Sequence, residues 1–340
     1  MKKIDEEKIM TIIEDTNNFD GLLKSDDVRT GFISGETFKN KPVQYSVVDG
    51  LAIFEGCIVL GTVEEMEQKT AAILAGEDIE EDEASRGVFI PGKQFRWPNG
   101  IVPYEIDPSL PKQERVRDAI AHWQQNTIIR FVQRTNSNAN QHPNYIRFRP
   151  GNGCSSRVGM QGGEQHITLG DGCSTGAAVH EIGHALGLWH EQSREDRDRH
   201  IQIHWQNIES SHVHNFNQHI TDGDDHASYD YDSIMHYGAT AFSKNGQPTI
   251  TTVSPGKSIG QRKSLSRGDI DTIHFLYQGT TSQSRPYTIR QGDTLFIIAE
   301  RELKDGNRWR EIMKTLNGGS FTEQEAGNLQ PGQVVYLPLN

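Results

Sequence analysis

The sequence predicts an α+β protein built from several domains, and three observations carry that expectation. A helical stretch over residues 174–186 is set after strand-like runs at 101–106, 128–132 and 145–148. The composition changes abruptly along the chain, from an acidic front to a histidine-rich middle to a nearly neutral tail. That tail, residues 286–340, reads strand, helix, helix, strand, with Gly292 and Gly332 at turns. At 340 residues the chain exceeds one typical core, so two or three domains are expected.

The charge pattern narrows the functional classes. Of the net −12, residues 1–87 carry 20 acidic and 9 basic side chains, residues 88–285 carry 19 of each, and residues 286–340 carry 7 and 6. All fourteen histidines lie between His122 and His274. Without a basic surplus there is no electrostatic footprint for nucleic acid, and no nucleic-acid partner is expected. No apolar run approaches the roughly 20 residues of a membrane helix, the best candidate at 51–61 being interrupted by Glu55, so no membrane span is expected. The first residues lack the unbroken apolar core of a secretory signal. Either a leader is missing from this sequence or export uses another route.

In the front, Ile4, Ile9, Ile12 and Ile13 roughly follow helical spacing, and residues 47–58 read as strand with a turn at Asp49-Gly50. Residues 77–83 are almost purely acidic and read as a solvated linker. A cleavable boundary near Arg86-Gly87 fits beside it, because proteases cut exposed linkers. The expected boundaries are therefore 1–87, 88–278, a polar linker 279–285, and 286–340. Within the middle, the strand at 101–106 is followed by a helix from Pro111 to about Gln125, with Ser109 as its cap and Val116, Ile120 and Trp123 facing inward.

The chemistry concentrates at His180-Glu181-Ile182-Gly183-His184. Residues four apart share a helix face, so both imidazoles can meet one ion, and Glu181 can reach a water on it. Gly187 can end the helix in a left-handed conformation and turn the chain back, bringing His190 as a third ligand. Three protein ligands leave a position open for water, which marks a catalytic Zn2+ site. Chance alone gives the two-histidine motif in about 0.04 of chains of this composition, and the glycine and third histidine reduce that to about 0.0002. A purely structural metal would leave Glu181 without a role.

His180-Glu181-x-x-His184-x-x-Gly187-x-x-His190 resembles the metzincin signature, and its continuation through Asp198 resembles the astacin family. Ser233-Ile234-Met235-His236-Tyr237-Gly238 is similar to that family's methionine turn, and the likeness also takes in residues 97–104 and 154–173. The resemblance implies a metzincin-type zinc endopeptidase domain, a twisted sheet plus an active-site helix, acting on protein or peptide substrates. It implies Met235 beneath the metal, Tyr237 as a displaceable ligand that stabilises the tetrahedral intermediate, and a Cys154–Cys173 disulfide. Taken alone, a Met and a Tyr in a loop read as core packing. Glu191 is implied to receive the new N-terminus near Gly87 or Val88 after cleavage; its plain reading is a surface glutamate. The family's second disulfide is missing at both ends, since Ile128 stands at one position and no cysteine follows Tyr277.

Cys57 sits in Phe54-Glu55-Gly56-Cys57-Ile58-Val59-Leu60, which resembles astacin prosegments that carry aspartate at that position. A thiolate is a softer ligand that suits zinc, so the resemblance implies a fourth metal ligand in a latent form. The alternative is a buried structural thiol.

In the tail, Tyr287-Thr288-Ile289-Arg290-Gln291-Gly292-Asp293-Thr294-Leu295 and residues 329–338 resemble a LysM module. That implies a βααβ fold, Ile298-Ala299 in the first helix and Trp309 to Ile312 in the second, and binding of peptidoglycan or chitin, with Gly292, Asp293 and Thr294 as candidate contacts. A degenerate spacer is the alternative. The expectation is thus a secreted or wall-associated zymogen of a zinc endopeptidase with a glycan anchor. A peptidoglycan stem-peptide hydrolase and an inactive protease-like glycan-binding protein are the rivals.

Overall fold

A computed structural model describes residues 21–34, 39–76, 95–218, 228–277, 284–304, 306–315, 318–321 and 326–338. The expected helix around Ile4 to Ile13, the acidic run 77–83 and the boundary near Arg86-Gly87 lie outside the described residues. The chain divides into two compact units, Met1–Trp97 with Ile101–His274, and Pro98–Gly100 with Phe275–Asn340.

In the first unit the front contributes β1 (Val28–Ile33), β2 (Lys41–Val48), β3 (Leu51–Phe54) and β4 (Ile58–Thr62), paired antiparallel in succession. The β2–β3 turn falls at Asp49-Gly50, where φ is 50° and 76°. Two consecutive left-handed residues match the right-handed twist of a hairpin. A second left-handed pair, Glu55 at φ 46° and Gly56 at φ 71°, joins β3 to β4 and places Cys57 in the turn. Helix α1 (Val63–Leu74) then starts with a capping box in which Thr62 Oγ1 accepts from Glu65 N–H at 3.1 Å and Glu65 Oε2 accepts from Thr62 N–H at 2.7 Å.

The middle adds β5 (Ile101–Ile106), α2 (Glu114–Asn126), β6 (Arg130–Gln133), β7 (Tyr145–Arg149), β8 (Cys154–Ser156), β9 (Glu164–Leu169) and α3 (Thr175–Ala185). All the strands so far form one nine-stranded sheet in the order β1-β2-β3-β4-β8-β9-β7-β5-β6. Front and middle meet where β4 runs parallel to β8, registered at Ile58 and Ser156, and Ser156 N–H donates to Cys57 O at 3.0 Å. The front therefore extends the sheet of the middle domain at the edge strand β8.

Helix α2 begins at Glu114, later than the sequence suggests, because Lys112 adopts φ 52° and cannot continue a helix from Pro111. The Ser109 hydroxyl donates to Asp107 Oδ1 at 2.6 Å instead of capping the helix. Val116, Ile120 and Trp123 are buried as expected. Two indoles fix α3: Trp123 Nε1–H donates to Val179 O at 3.0 Å and Trp97 Nε1–H to Ala185 O at 2.8 Å. Beyond α3, β10 (Ile201–Ile203) pairs with β11 (Ile250–Thr252), and α4 spans Arg267–Tyr277.

The second unit contains β12 (Ser284–Thr288), α5 (Leu295–Leu303), β13 (Met313–Thr315), β14 (Gly318–Ser320) and β15 (Val334–Pro338), with sheet order β12-β15-β13-β14. Its core is formed by Tyr287, Ile289, Leu295, Ile298, Ala299, Leu303, Ile312, Val335 and Leu337. The expected second helix is a 3-10 turn, Gly306–Glu311, and Ile312 follows it into β13, whose Met313 pairs with Tyr336 of β15. Backbone pairing with β15 thus takes the residues that would have lengthened the helix.

Candidate metal centre

Helix α3 is cut to length at both ends. Ser174 caps its start, the hydroxyl accepting from Ala177 N–H at 3.0 Å. At its end Gly187 takes φ 105°, Gly187 N–H reaches His184 O at 2.8 Å, and Leu188 N–H reaches Gly183 O at 2.9 Å. That paired arrangement is a Schellman stop, which turns the chain and carries His190 back toward the helix.

Each imidazole is held by its Nδ1. The His180 Nδ1 contact is Ile234 O at 2.8 Å, that of His184 is Leu188 O at 2.8 Å, and that of His190 is Glu55 Oε2 at 2.7 Å. An acceptor at Nδ1 fixes the proton there, leaving Nε2 with its lone pair for a metal. Burial also holds His180 and His184 well below the ordinary imidazole range, so both rings are neutral, the form a metal would need.

The Nε2 atoms of His184 and His190 are 3.2 Å apart, and those of His190 and His180 3.3 Å. Cys57 Sγ lies 3.3 Å from Nε2 of His184, 3.3 Å from that of His190 and 3.6 Å from that of His180. A tetrahedron with Zn–N of about 2.0 Å and Zn–S of about 2.3 Å has edges of about 3.3 Å between nitrogens and about 3.5 Å from sulfur to nitrogen. The four buried donors fit that shell, and all lie within 4.8 Å of one another. Glu181 is buried as well, with no hydrogen-bond partner for Oε2 among the described residues. Burial pushes its carboxyl well above the usual range.

The methionine turn packs under α3 because Gly183 leaves room. A Cβ there would stand 2.7 Å from Met235 Sδ. The turn hangs from Asp269 near the start of α4, whose Oδ1 accepts from Ser233 Oγ at 2.7 Å and whose Oδ2 accepts from Ile234 N–H at 2.9 Å and Ser266 N–H at 2.8 Å. Since Ile234 O is the partner of His180, Asp269 steadies that imidazole at one remove. Arg262 Nη1 donates to Ile234 O at 2.8 Å and to His236 O at 3.0 Å, closing the same turn.

Tyr237 is buried with its ring centroid 4.8 Å from that of His190, and its hydroxyl donates to Glu55 O at 2.7 Å. Glu191 directly follows His190, and its N–H donates to Met235 O at 3.2 Å. Its Oε1 accepts from Asp230 N–H at 2.7 Å, and burial pushes its carboxyl up to about 8. The chain end expected near it, Gly87 or Val88, is outside the described residues. Cys154 and Cys173 form a disulfide, and Cys57 is a buried cysteine outside it.

The structure therefore brings together His180, His184, His190 and Cys57, with Glu181 on the same helix and Met235 and Tyr237 on the adjoining turn. Sequence reasoning missed Glu55 and Asp269. Asp269 has a local signal in Ser266-x-x-Asp269, a capping box, whereas Glu55 has only its place beside Cys57. In the second unit, Gly292 is a left-handed turn residue at φ 85°, Asp293 Oδ2 accepts from Tyr287 Oη–H at 2.7 Å and Arg290 N–H at 2.9 Å, and Thr294 caps α5. These three expected glycan contacts are adjacent to one another, and Asp293 and Thr294 are engaged in local structure.

Known proteins share much of this sequence. The profile of the Astacin peptidase family matches residues 90–278. Blastula protease 10 of Paracentrotus lividus is 46% identical over 194 residues, 54% of this chain and 32% of that protein. Astacin-like metalloprotease toxin 1 of Loxosceles intermedia is 41% identical over 211 residues, 58% of this chain and 76% of that one. The solved structure of high choriolytic enzyme 1, a hatching enzyme zinc-protease from Oryzias latipes, is 39% identical, covering 54% of this chain and 92% of its own, with a TM-score of 0.49. The chain spans about a third of the length of the blastula protease and of protein SpAN from Strongylocentrotus purpuratus, 32% and 31% respectively. With the profile covering more than half of the residues, the chain belongs to the astacin family of zinc metallopeptidases.

Proposed function

We propose that the chain is a zinc endopeptidase made in latent form, in which Cys57 of the front segment occupies the metal position that water needs. The observation that carries this reading is the set of four buried donors, Cys57 Sγ and three Nε2 atoms, spaced as a tetrahedral zinc shell. The names of the blastula protease and the metalloprotease toxin support the peptidase activity.

Zinc held by His180, His184 and His190 would supply Lewis acidity toward a peptide carbonyl and a water. Glu181 would take a proton from the attacking water and return it to the departing amine, as a general base and then a general acid. Its place on the same helix as His180 and His184, with Oε2 buried and without a hydrogen-bond partner among the described residues, suits that role. Tyr237, once released from Glu55 O, donates its hydroxyl proton in a hydrogen bond to the developing oxyanion. Met235 and Asp269 keep the turn beneath the ligands in place. In the latent chain Cys57 fills the open position and Tyr237 is turned to the front segment, so Glu181 has no water to activate.

Cutting near Arg86-Gly87, beside the acidic run 77–83, frees the front segment from the middle. Glu191, buried and carboxylate-bearing, then receives the ammonium of the new N-terminus. The tail acts as a LysM-type anchor to peptidoglycan or chitin, a reading supported by its separate core and its strand–helix–strand order. Secretion follows from that substrate surface and from the disulfide, which persists in oxidising compartments.

Zinc absorption spectroscopy on the intact chain tests the latch. The expected shell holds one sulfur at about 2.3 Å and three nitrogens at about 2.0 Å. A shell of nitrogen and oxygen alone, with Cys57 reduced, removes the latch. The cut chain is then given casein and, separately, purified sacculi. Casein hydrolysis is expected; hydrolysis of sacculi alone reassigns the substrate, and inertness toward both reassigns the chain as a binding protein.

A further inference from the structure

We infer that Glu55 is a positioning residue for the metal, completing the hydrogen-bond shell of the third ligand from the front segment, so that the uncut chain retains zinc more firmly than the middle domain alone. The inference rests on the proposed reading that zinc sits among Cys57 and the three histidines.

The three imidazoles are not supported alike. His180 and His184 take their Nδ1 partners from backbone carbonyls of the middle domain, Ile234 O and Leu188 O. His190 takes a carboxylate, Glu55 Oε2 at 2.7 Å, from a segment 135 residues away in sequence. A charged acceptor makes a shorter and stronger bond than a carbonyl and raises the donor strength of the opposite ring nitrogen. The only carboxylate on a ligand Nδ1 among the described residues is thus carried by the part that cleavage removes.

Glu55 is built for this position. It is 0% exposed and adopts φ 46°, an uncommon conformation for a residue with a long side chain, held by its neighbour Gly56 at φ 71°. Its second oxygen, Oε1, accepts from Ser193 Oγ at 2.6 Å, which fixes the plane of the carboxylate. Its backbone oxygen accepts from Tyr237 at 2.7 Å. One residue therefore touches the third ligand, the loop after it and the methionine turn, while its neighbour but one, Cys57, supplies the sulfur.

A residue that only fastened the front segment would act on docking and leave the metal untouched once docked. The test uses the full uncut, zinc-loaded chain and measures zinc transfer to a colorimetric chelator for the parent, Glu55→Ala, Glu55→Gln, Cys57→Ala and the Cys57→Ala/Glu55→Ala pair. Glutamine keeps the acceptor and the shape and loses the charge. Loss of an outer-shell partner lowers metal affinity by about 10–100-fold, the loss expected for Glu55→Ala, with Glu55→Gln intermediate. The double variant should fall below Cys57→Ala by a similar factor, since the two residues act at different points. The His190 Nδ1 proton should lie far downfield in the parent and move upfield in Glu55→Gln.

Zinc held by folded Glu55→Ala as firmly as by the parent overturns the inference. If Glu55→Ala does not fold, an unchanged Glu55→Gln in both transfer and proton shift overturns it equally. A shell without sulfur but with the Glu55 effect intact would remove the latch and leave this role standing.

Discussion

Replacing Asp269 by asparagine tests whether the methionine turn and the first ligand are held from α4. The carboxylate accepts three hydrogen bonds, two of them from the backbone N–H groups of Ile234 and Ser266 at Oδ2 and one from Ser233 Oγ at Oδ1. An asparagine carbonyl placed at the Oδ2 position keeps both backbone bonds but loses their charge assistance, worth about 1 kcal/mol over the pair. Its amide then faces Ser233 Oγ, which already accepts from Met235 N–H at 3.0 Å, so the serine proton loses its partner. An unsatisfied buried polar group costs about 1–3 kcal/mol. Relief from burying a charge, which pushes this carboxyl up, offsets part of the sum. A net loss of about 2–3 kcal/mol corresponds to a fall in melting temperature of about 4–12 °C for a unit of this size. Because Ile234 O steadies His180, zinc affinity should fall as well, by about 10-fold. Near-ultraviolet dichroism of the buried Trp97 and Trp123 follows the melt, and chelator competition reads the affinity. A midpoint within about 1 °C of the parent together with unchanged zinc affinity refutes the coupling.

Glu181→Gln should keep zinc and lose nearly all peptidase activity in the cut chain, because an amide can bond to a water without taking its proton; full activity in the zinc-loaded variant would remove Glu181 as the base. Gly176→Ala should destabilise by about 3 kcal/mol or more in denaturant unfolding, since the added Cβ would overlap Arg262 O, a backbone atom that cannot yield as a side chain does. An unchanged midpoint would mean that α3 and the Arg262 segment are not in contact. Removing residues 286–340 should leave hydrolysis of a soluble peptide nearly unchanged and abolish retention on peptidoglycan or chitin; retention by the truncated chain would remove the tail as anchor.

What was legible in the sequence had local causes. The zinc helix is written in the four-residue spacing of His180 and His184 and its end in Gly187, all within a few positions of one another. The hairpin at Asp49-Gly50 is legible for the same reason. The start of α2 was not, because Lys112 at φ 52° is a left-handed lysine that no propensity signals. The 3-10 turn at Gly306–Glu311 was not, because its continuation is decided by pairing with β15, more than twenty residues later. Glu55 and Asp269 escaped for a related reason. Their partners, His190 and the methionine turn, are 135 and 35 or 36 residues away, and only the closed fold brings the carboxylates to them.

The way the front is attached explains why a cut, rather than a fluctuation, is the suitable trigger on the proposed reading. A sulfur–metal bond would be one of several ties the segment makes. Ser156 N–H donates to Cys57 O, Leu23 N–H to Gly56 O and Cys154 N–H to Gly21 O, so the chain on both sides of the turn is tied to itself or to β8. Phe54, Cys57, Ile58 and Leu60 share an apolar cluster with Val158, with Trp189 packed against it. Opening the site means breaking these together, and while the covalent tether remains the released segment stays at high effective concentration and rebinds. Cleavage alters that term and no contact energy. Glu55 and Cys57 then leave as one piece, so the ligand that blocks the metal and the carboxylate that supports His190 are withdrawn in the same event.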